Sequence, residues 1–69
     1  MMRWLRLRRM RRAFRAMPER DRAIFGSVRF DDRNYVETAE LHGCTGEEVE
    51  HTIARVLIAL GRAERGEQS

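Results

Sequence analysis

Two side-chain patterns, eleven residues apart, constrain this chain more than anything else in it. Asn34 with Glu37, and Thr45 with Glu48, each put a hydrogen-bonding N-cap residue three positions before a glutamate. In such a capping box the N-cap oxygen accepts an orphan backbone N–H while the glutamate reaches back to the N-cap N–H, so each pair marks a helix start. Gly43 lies between them, placed to end the first helix in the left-handed conformation that glycine tolerates best. The pattern predicts a short helix over 35–42, a tight turn, and a longer helix from 46 to about 60. A connection this brief admits only two helices packed at a steep angle.

Val49, Ile53, Val56, Leu57 and Leu60 recur at helical spacing and form the expected buried stripe of the last helix. Ile58 falls on the outer face, where an isoleucine marks a partner or homodimer contact. Gly61 weakens the helix beyond that point, and 61–69 reads as a frayed tail. Upstream, Leu7, Met10, Phe14 and Met17 make an apolar stripe, extended by Trp4, on an arginine-rich helix over about 3–16. Pro18 suits the first position of a second helix running to about Phe30, with Ala23, Ile24, Phe25, Val28 and Phe30 as its apolar surface. Asp31 to Asn34 is a polar break. The expectation is one all-α domain over 1–69, four helices with a C-terminal helix-turn-helix over 34–60 and no wing. Its 69 residues allow only a small core, worth roughly 3 to 5 kcal/mol.

Charge is divided unevenly along the chain. All 14 basic side chains are arginine, and nine of them lie in residues 1–22 against Glu19 and Asp21. The remainder of the chain is net acidic, and residues 35–60 hold Arg55 alone against five glutamates. A block this basic is an electrostatic footprint for phosphate, and its contacts weaken with salt. Arg8, Arg9, Arg11 and Arg12 are the candidates there for nucleic-acid backbone contact. The same stretch also reads as a solvated helix face, or, through Trp4, as a surface for acidic protein or lipid headgroups.

Other chemistries find little support. The single cysteine, Cys44, makes no internal disulfide and points to a reducing compartment, with the cytoplasm as the default. His42, Cys44 and His51 match no standard zinc spacing, so no metal is expected; His42 reads as a packing residue and His51 as an exposed one. No nucleophile–base pair, phosphate loop or cofactor motif accompanies Asp31 and Asp32, so neither an enzyme nor a cofactor is expected. No apolar run reaches the roughly 20 residues that cross a bilayer.

The plan of short helix, glycine turn and longer helix, with Ala39 at the helix approach and Val49 in the apolar position of the second helix, is helix-turn-helix in form. Met17-Pro18-Glu19-Arg20-Asp21-Arg22 followed by Ile24-Phe25 resembles the opening of sigma-70 region 4. Arg29-Phe30-Asp31-Asp32, then Tyr35, Glu37, Ala39, Gly43 and Thr45, then Val49-Glu50, Ile53-Ala54-Arg55 and Leu57 continue that pattern over roughly 13–60. The likeness extends to the extracytoplasmic-function branch, particularly its iron-uptake members. It implies a transcription protein that meets minus-35 promoter DNA and the β-flap of RNA polymerase. Thr45, Gly46, Glu47, Glu50, His51 and Arg55 would face the major groove or its flanking phosphates. It also implies possible partners in an anti-sigma factor or a separate region 2 protein, since 69 residues leave no room for region 2 and suggest a stand-alone short chain. A protein-interaction module that keeps the fold without binding DNA is the alternative. Thr38, His42 and Cys44 stand where that family has aliphatic residues, which makes the motif's first helix less apolar.

Overall fold

The computed structural model describes residues 2–66, and these form four helices in chain order: α1 (Met2–Arg15), α2 (Glu19–Arg29), α3 (Tyr35–His42) and α4 (Gly46–Glu64). The end of the expected tail, 67–69, lies outside the described residues. Helix α4 is central and packs against each of the other three.

Local chemistry sets the helix ends. Both capping boxes are closed: Glu37 N–H donates to Asn34 Oδ1 at 2.8 Å and Asn34 N–H to Glu37 Oε1 at 3.0 Å. At α4, Glu48 N–H donates to Thr45 Oγ1 at 3.1 Å and Thr45 N–H to Glu48 Oε1 at 2.9 Å. Between them Gly43 takes φ 66 and ψ 41, the left-handed region, and the following Cys44 N–H bonds back to Ala39 O at 2.9 Å. No atom stands within 4 Å of a Cβ built at Gly43, so glycine is needed there for its backbone angles and not for space. Pro18 occupies the N-cap of α2 and not its first turn, with ψ 144 keeping it extended. Its position still costs no helix donor, and Glu19 and Asp21 supply the negative charge that the first turn favours.

The core consists of Ile24 and Phe25 from α2, Ala39 from α3, and Val49, Ile53 and Val56 from α4. Phe14, Met17, Val28, Cys44 and Leu60 close around it. Phe14 and Phe25 meet with ring centroids 5.7 Å apart, joining α1 to α2. The expected stripe needs one exchange: Leu57 is 49 % exposed, while Thr52 and Ala63 are buried. At 100° per residue, Leu57 falls about 80° off the line through Val49, whereas positions 52, 53, 56, 60 and 63 stay near it. Burial of Ala63 explains why α4 continues through Gly61 to Glu64, past the end expected near Leu60. Two other expectations fail. Ala23 and Phe30 turn away from the α2 core face, leaving Phe30 75 % exposed. Trp4 and Leu7 are exposed too: Leu7 shares the angle of Phe14 to within about 20°, but it lies at the level of the α4 end, where Arg6 meets Glu64, beyond the core.

The two polar substitutions in α3 are accommodated differently. His42 is half-buried, and its Nε2 lies 3.0 Å from Ser27 Oγ. Ser27 gives its one hydrogen to Ala23 O at 3.1 Å, so its oxygen accepts from a His42 Nε2–H, tying α3 to α2. Thr38 is fully buried and its Oγ1 has no hydrogen-bond partner. A buried hydroxyl left unpaired costs about 1–3 kcal/mol, while its methyl packs as valine would. Thr38→Val is therefore expected to stabilise the fold by about 1 kcal/mol and raise the thermal midpoint by about 4–8 °C. An unchanged or lower midpoint, read by circular dichroism, would contradict the unpaired state of that hydroxyl.

Candidate nucleic-acid interface

One flank of α4 buries Val49, Thr52, Ile53 and Val56; the opposite flank faces solvent. Glu47, Glu50, His51, Ala54 and Arg55 are all exposed there, with Thr45 at the N-cap exposed and Gly46 half-buried. Six sequence-derived site residues, Thr45, Gly46, Glu47, Glu50, His51 and Arg55, thus fall on the first three turns of one helix. The capping box fixes where that edge starts. Val49 and Ile53, locked in the core, fix its rotation.

The edge is less acidic in space than in sequence. Arg20, near the start of α2, lies beside it: with Asp21, Cys44, Glu48, His51 and Arg55 it lines a shallow polar cleft between α2 and the first half of α4. Arg20 is exposed and close enough to Glu48 to favour its charged form. Sequence reading missed this residue because 25 positions separate Arg20 from Thr45 along the chain. Only the packing of α2 on α4 joins them. Arg55 donates through Nη2 to Asp21 Oδ1 at 3.2 Å and to Thr52 Oγ1 at 3.3 Å. Its side chain is 61 % exposed, so the guanidinium is oriented by these bonds while its other donors remain open to solvent.

The α1 arginines do not join this edge. Helix α1 runs antiparallel along the second half of α4: Arg6 approaches Glu64 at 3.9 Å, Arg9 packs over Gly66, and Phe14 shares a groove with Leu60. Arg9 also departs from the expectation of phosphate contact, because its Nε is buried and its guanidinium lies against the end of α4. Arg8, Arg11 and Arg12 are exposed, on a face of α1 that is turned away from the core.

Cys44 is half-buried against the core, and His42 is engaged with Ser27. Among the described residues no group of three or more His, Cys, Asp or Glu side chains converges. None of the described helices is long and apolar enough to cross a membrane.

A family model described as sigma-70, region 4 matches residues 7–60, most of the chain and every residue of the α4 edge. Comparison with curated proteins and with solved structures gives no match.

Glu48 closes the cap at the start of the edge through Thr45. The Thr45 backbone N–H first, then the Thr45 hydroxyl, with Arg20 adding to them, hold its carboxyl below the usual glutamate range. A folded-state value lowered in this way stabilises the fold above the unfolded glutamate value, and the contribution is lost as pH falls through the folded one. Glu48→Gln, which keeps the capping oxygen without the charge, is expected to flatten the acid limb of the stability–pH curve. Thermal midpoints measured from neutral pH down through the glutamate range test this, and identical slopes for both proteins would refute it.

Proposed function

Because the chain belongs to the sigma-70 region 4 family, a DNA-binding transcription family, we propose that the outward edge of α4 reads double-stranded promoter DNA of the minus-35 type. The observation that carries this reading is the pairing of a solvent-facing α4 edge with two flanking arginines, Arg20 from α2 and Arg55 from α4. Phosphate contacts supply most of the affinity of such an interface, and base contacts supply its sequence preference.

The roles divide by chemistry. Thr45 and Gly46 sit at the positive end of α4, where backbone N–H groups and the helix dipole suit a phosphate. Arg20 and Arg55 line one cleft beside the edge and take phosphates along that flank. Glu47, Glu50 and His51 point at base edges; a glutamate accepts a hydrogen bond from cytosine N4, so the edge selects against bases that present only acceptors. Affinity is modest, because few cations back the edge and two glutamates repel the backbone generally. Placement in the extracytoplasmic-function branch, iron-uptake type, is part of the same proposal and rests on the residue pattern across 17–57.

A second reading has its own support. An apolar groove formed by Met10, Phe14, Phe25, Phe30 and Leu60 and rimmed by Arg11 and Arg15 opens between α1, α2 and α4, with Phe30 largely uncovered. The polymerase β-flap is the proposed occupant; an anti-sigma factor or a separate region 2 protein is an alternative partner for the same face.

The test combines both readouts. Replacing Arg20 and Arg55 together by alanine is expected to weaken promoter-duplex binding in low-salt titrations. It should also reduce the slope of log affinity against log salt by about 2, one for each lost phosphate contact. Flap capture in a pull-down should be unaffected. An unchanged slope would remove DNA from the edge, and flap capture without DNA binding by the unaltered chain would favour the interaction-module reading.

A further inference from the structure

Helix α1 has two working sides. Its Phe14, with Met17 just beyond its end, packs against the core, and the half-buried Met10 lines the groove beside Phe14. The outward side carries Trp4, Leu7, Arg8, Arg11, Arg12 and Arg15 along one exposed face, with Arg11 and Arg15 at the border of the Phe14 groove. The four arginines recur at i, i+3, i+4 and i+7, so they form one strip about 10 Å long before side-chain reach is added. No acidic residue precedes Glu19 in the chain, and none lies on this face. The Arg8 guanidinium stands 5.4 Å from the Trp4 ring centroid, which holds both side chains at one end of the strip.

Position matters as much as charge. The strip flanks the second half of α4, with Arg6 at Glu64 and Arg9 over Gly66. The reading edge occupies the first turns of α4 and ends at Arg55, whereas Arg15, at the near end of the strip, lines a groove with Leu60, about 8 Å further along the helix axis. The two surfaces thus follow one another along the molecule and share no residue.

We infer that the exposed face of α1 is a second, sequence-independent site for the phosphate backbone of duplex DNA, separate from the α4 edge. Four guanidiniums at helical spacing match a surface that offers a negative charge every ~1.7 Å of duplex axis, and release of counterions drives the contact. The face fits other anionic partners less well. An interfacial membrane helix needs a continuous apolar side; in α1 Phe14 is packed against the core, and the exposed Trp4, Leu5 and Leu7 are confined to about one turn. A single-strand site needs aromatic platforms for successive bases, and here there is one tryptophan with Arg8 over its ring. A duplex engaged at α1 is therefore gripped independently of what α4 reads. The chain can hold DNA through one surface while the other searches, or bridge two segments.

Trp4 is the only tryptophan, which makes it a local reporter. Titration of the full chain with a random-sequence duplex of about 20 base pairs at low salt is expected to quench Trp4 emission, in a manner reversed by added salt. Arg11→Gln, Arg12→Gln and Arg15→Gln together leave the Arg8–Trp4 contact in place. They should reduce the magnitude of the salt slope by about 2 to 3, while Arg20→Ala with Arg55→Ala leaves the quenching intact. That second variant separates this site from the reading edge, so one can fail without the other. Trp4 emission that stays constant at saturating duplex would overturn the inference. So would an unchanged salt slope in the triple variant, or a Trp4 response to anionic phospholipid vesicles with none to DNA.

Discussion

Burial of one flank of α4 against all three other helices is the constraint from which the rest of this molecule follows. Val49 and Val56 are essentially inaccessible to solvent, and Ile53 lies between them against Ile24, Phe25 and Ala39. With that flank fixed, the opposite one has no choice but to face outward, so Glu47, Glu50, His51 and Arg55 form an edge because Val49 and Ile53 form a core. The core is small. A chain of this size holds only roughly 3 to 5 kcal/mol in its apolar packing, and each N-cap is worth about 1 kcal/mol, so the two capping boxes carry a large share of the total. The buried, unpaired Thr38 hydroxyl draws on the same narrow margin.

Charge is arranged by the fold into two surfaces of different character. On α4 a sparse, mixed edge sets Arg20 and Arg55 beside glutamates. On α1 the exposed face holds Arg8, Arg11, Arg12 and Arg15 with no acid among them. A net charge of +3 hides this division entirely. The Arg55–Asp21 contact ties α4 to α2: an exposed ion pair adds little stability, but it orients one of the few cations along the α4 edge.

Much of this was legible in the residues, and the boundary of legibility is physical. Caps and turns are local, so Asn34, Glu37, Gly43, Thr45 and Glu48 delivered α3 and the start of α4 to the residue. The resemblance to sigma-70 region 4 rested partly on them, and the family match bears it out while starting six residues nearer the N-terminus than the span 13–60. What escaped depends on angle or on distance along the chain. Leu57 is apolar and near the stripe, yet about 80° of rotation leaves it half outside. Arg9 has the same composition as its neighbours, but its place on the wheel turns it toward the end of α4. Arg20 belongs to the edge only through the docking of α2 on α4, which no local pattern announces.

The central claim is that the first three turns of α4 meet DNA, and amide chemical-shift mapping of the isotope-labelled chain during titration with a promoter duplex addresses it most directly. Amides of Thr45, Gly46, Glu47, Glu50, His51 and Arg55 should shift with the bound fraction, whatever α1 does. If those amides stay in place at saturating duplex, the α4 edge does not read DNA and the account fails at its foundation.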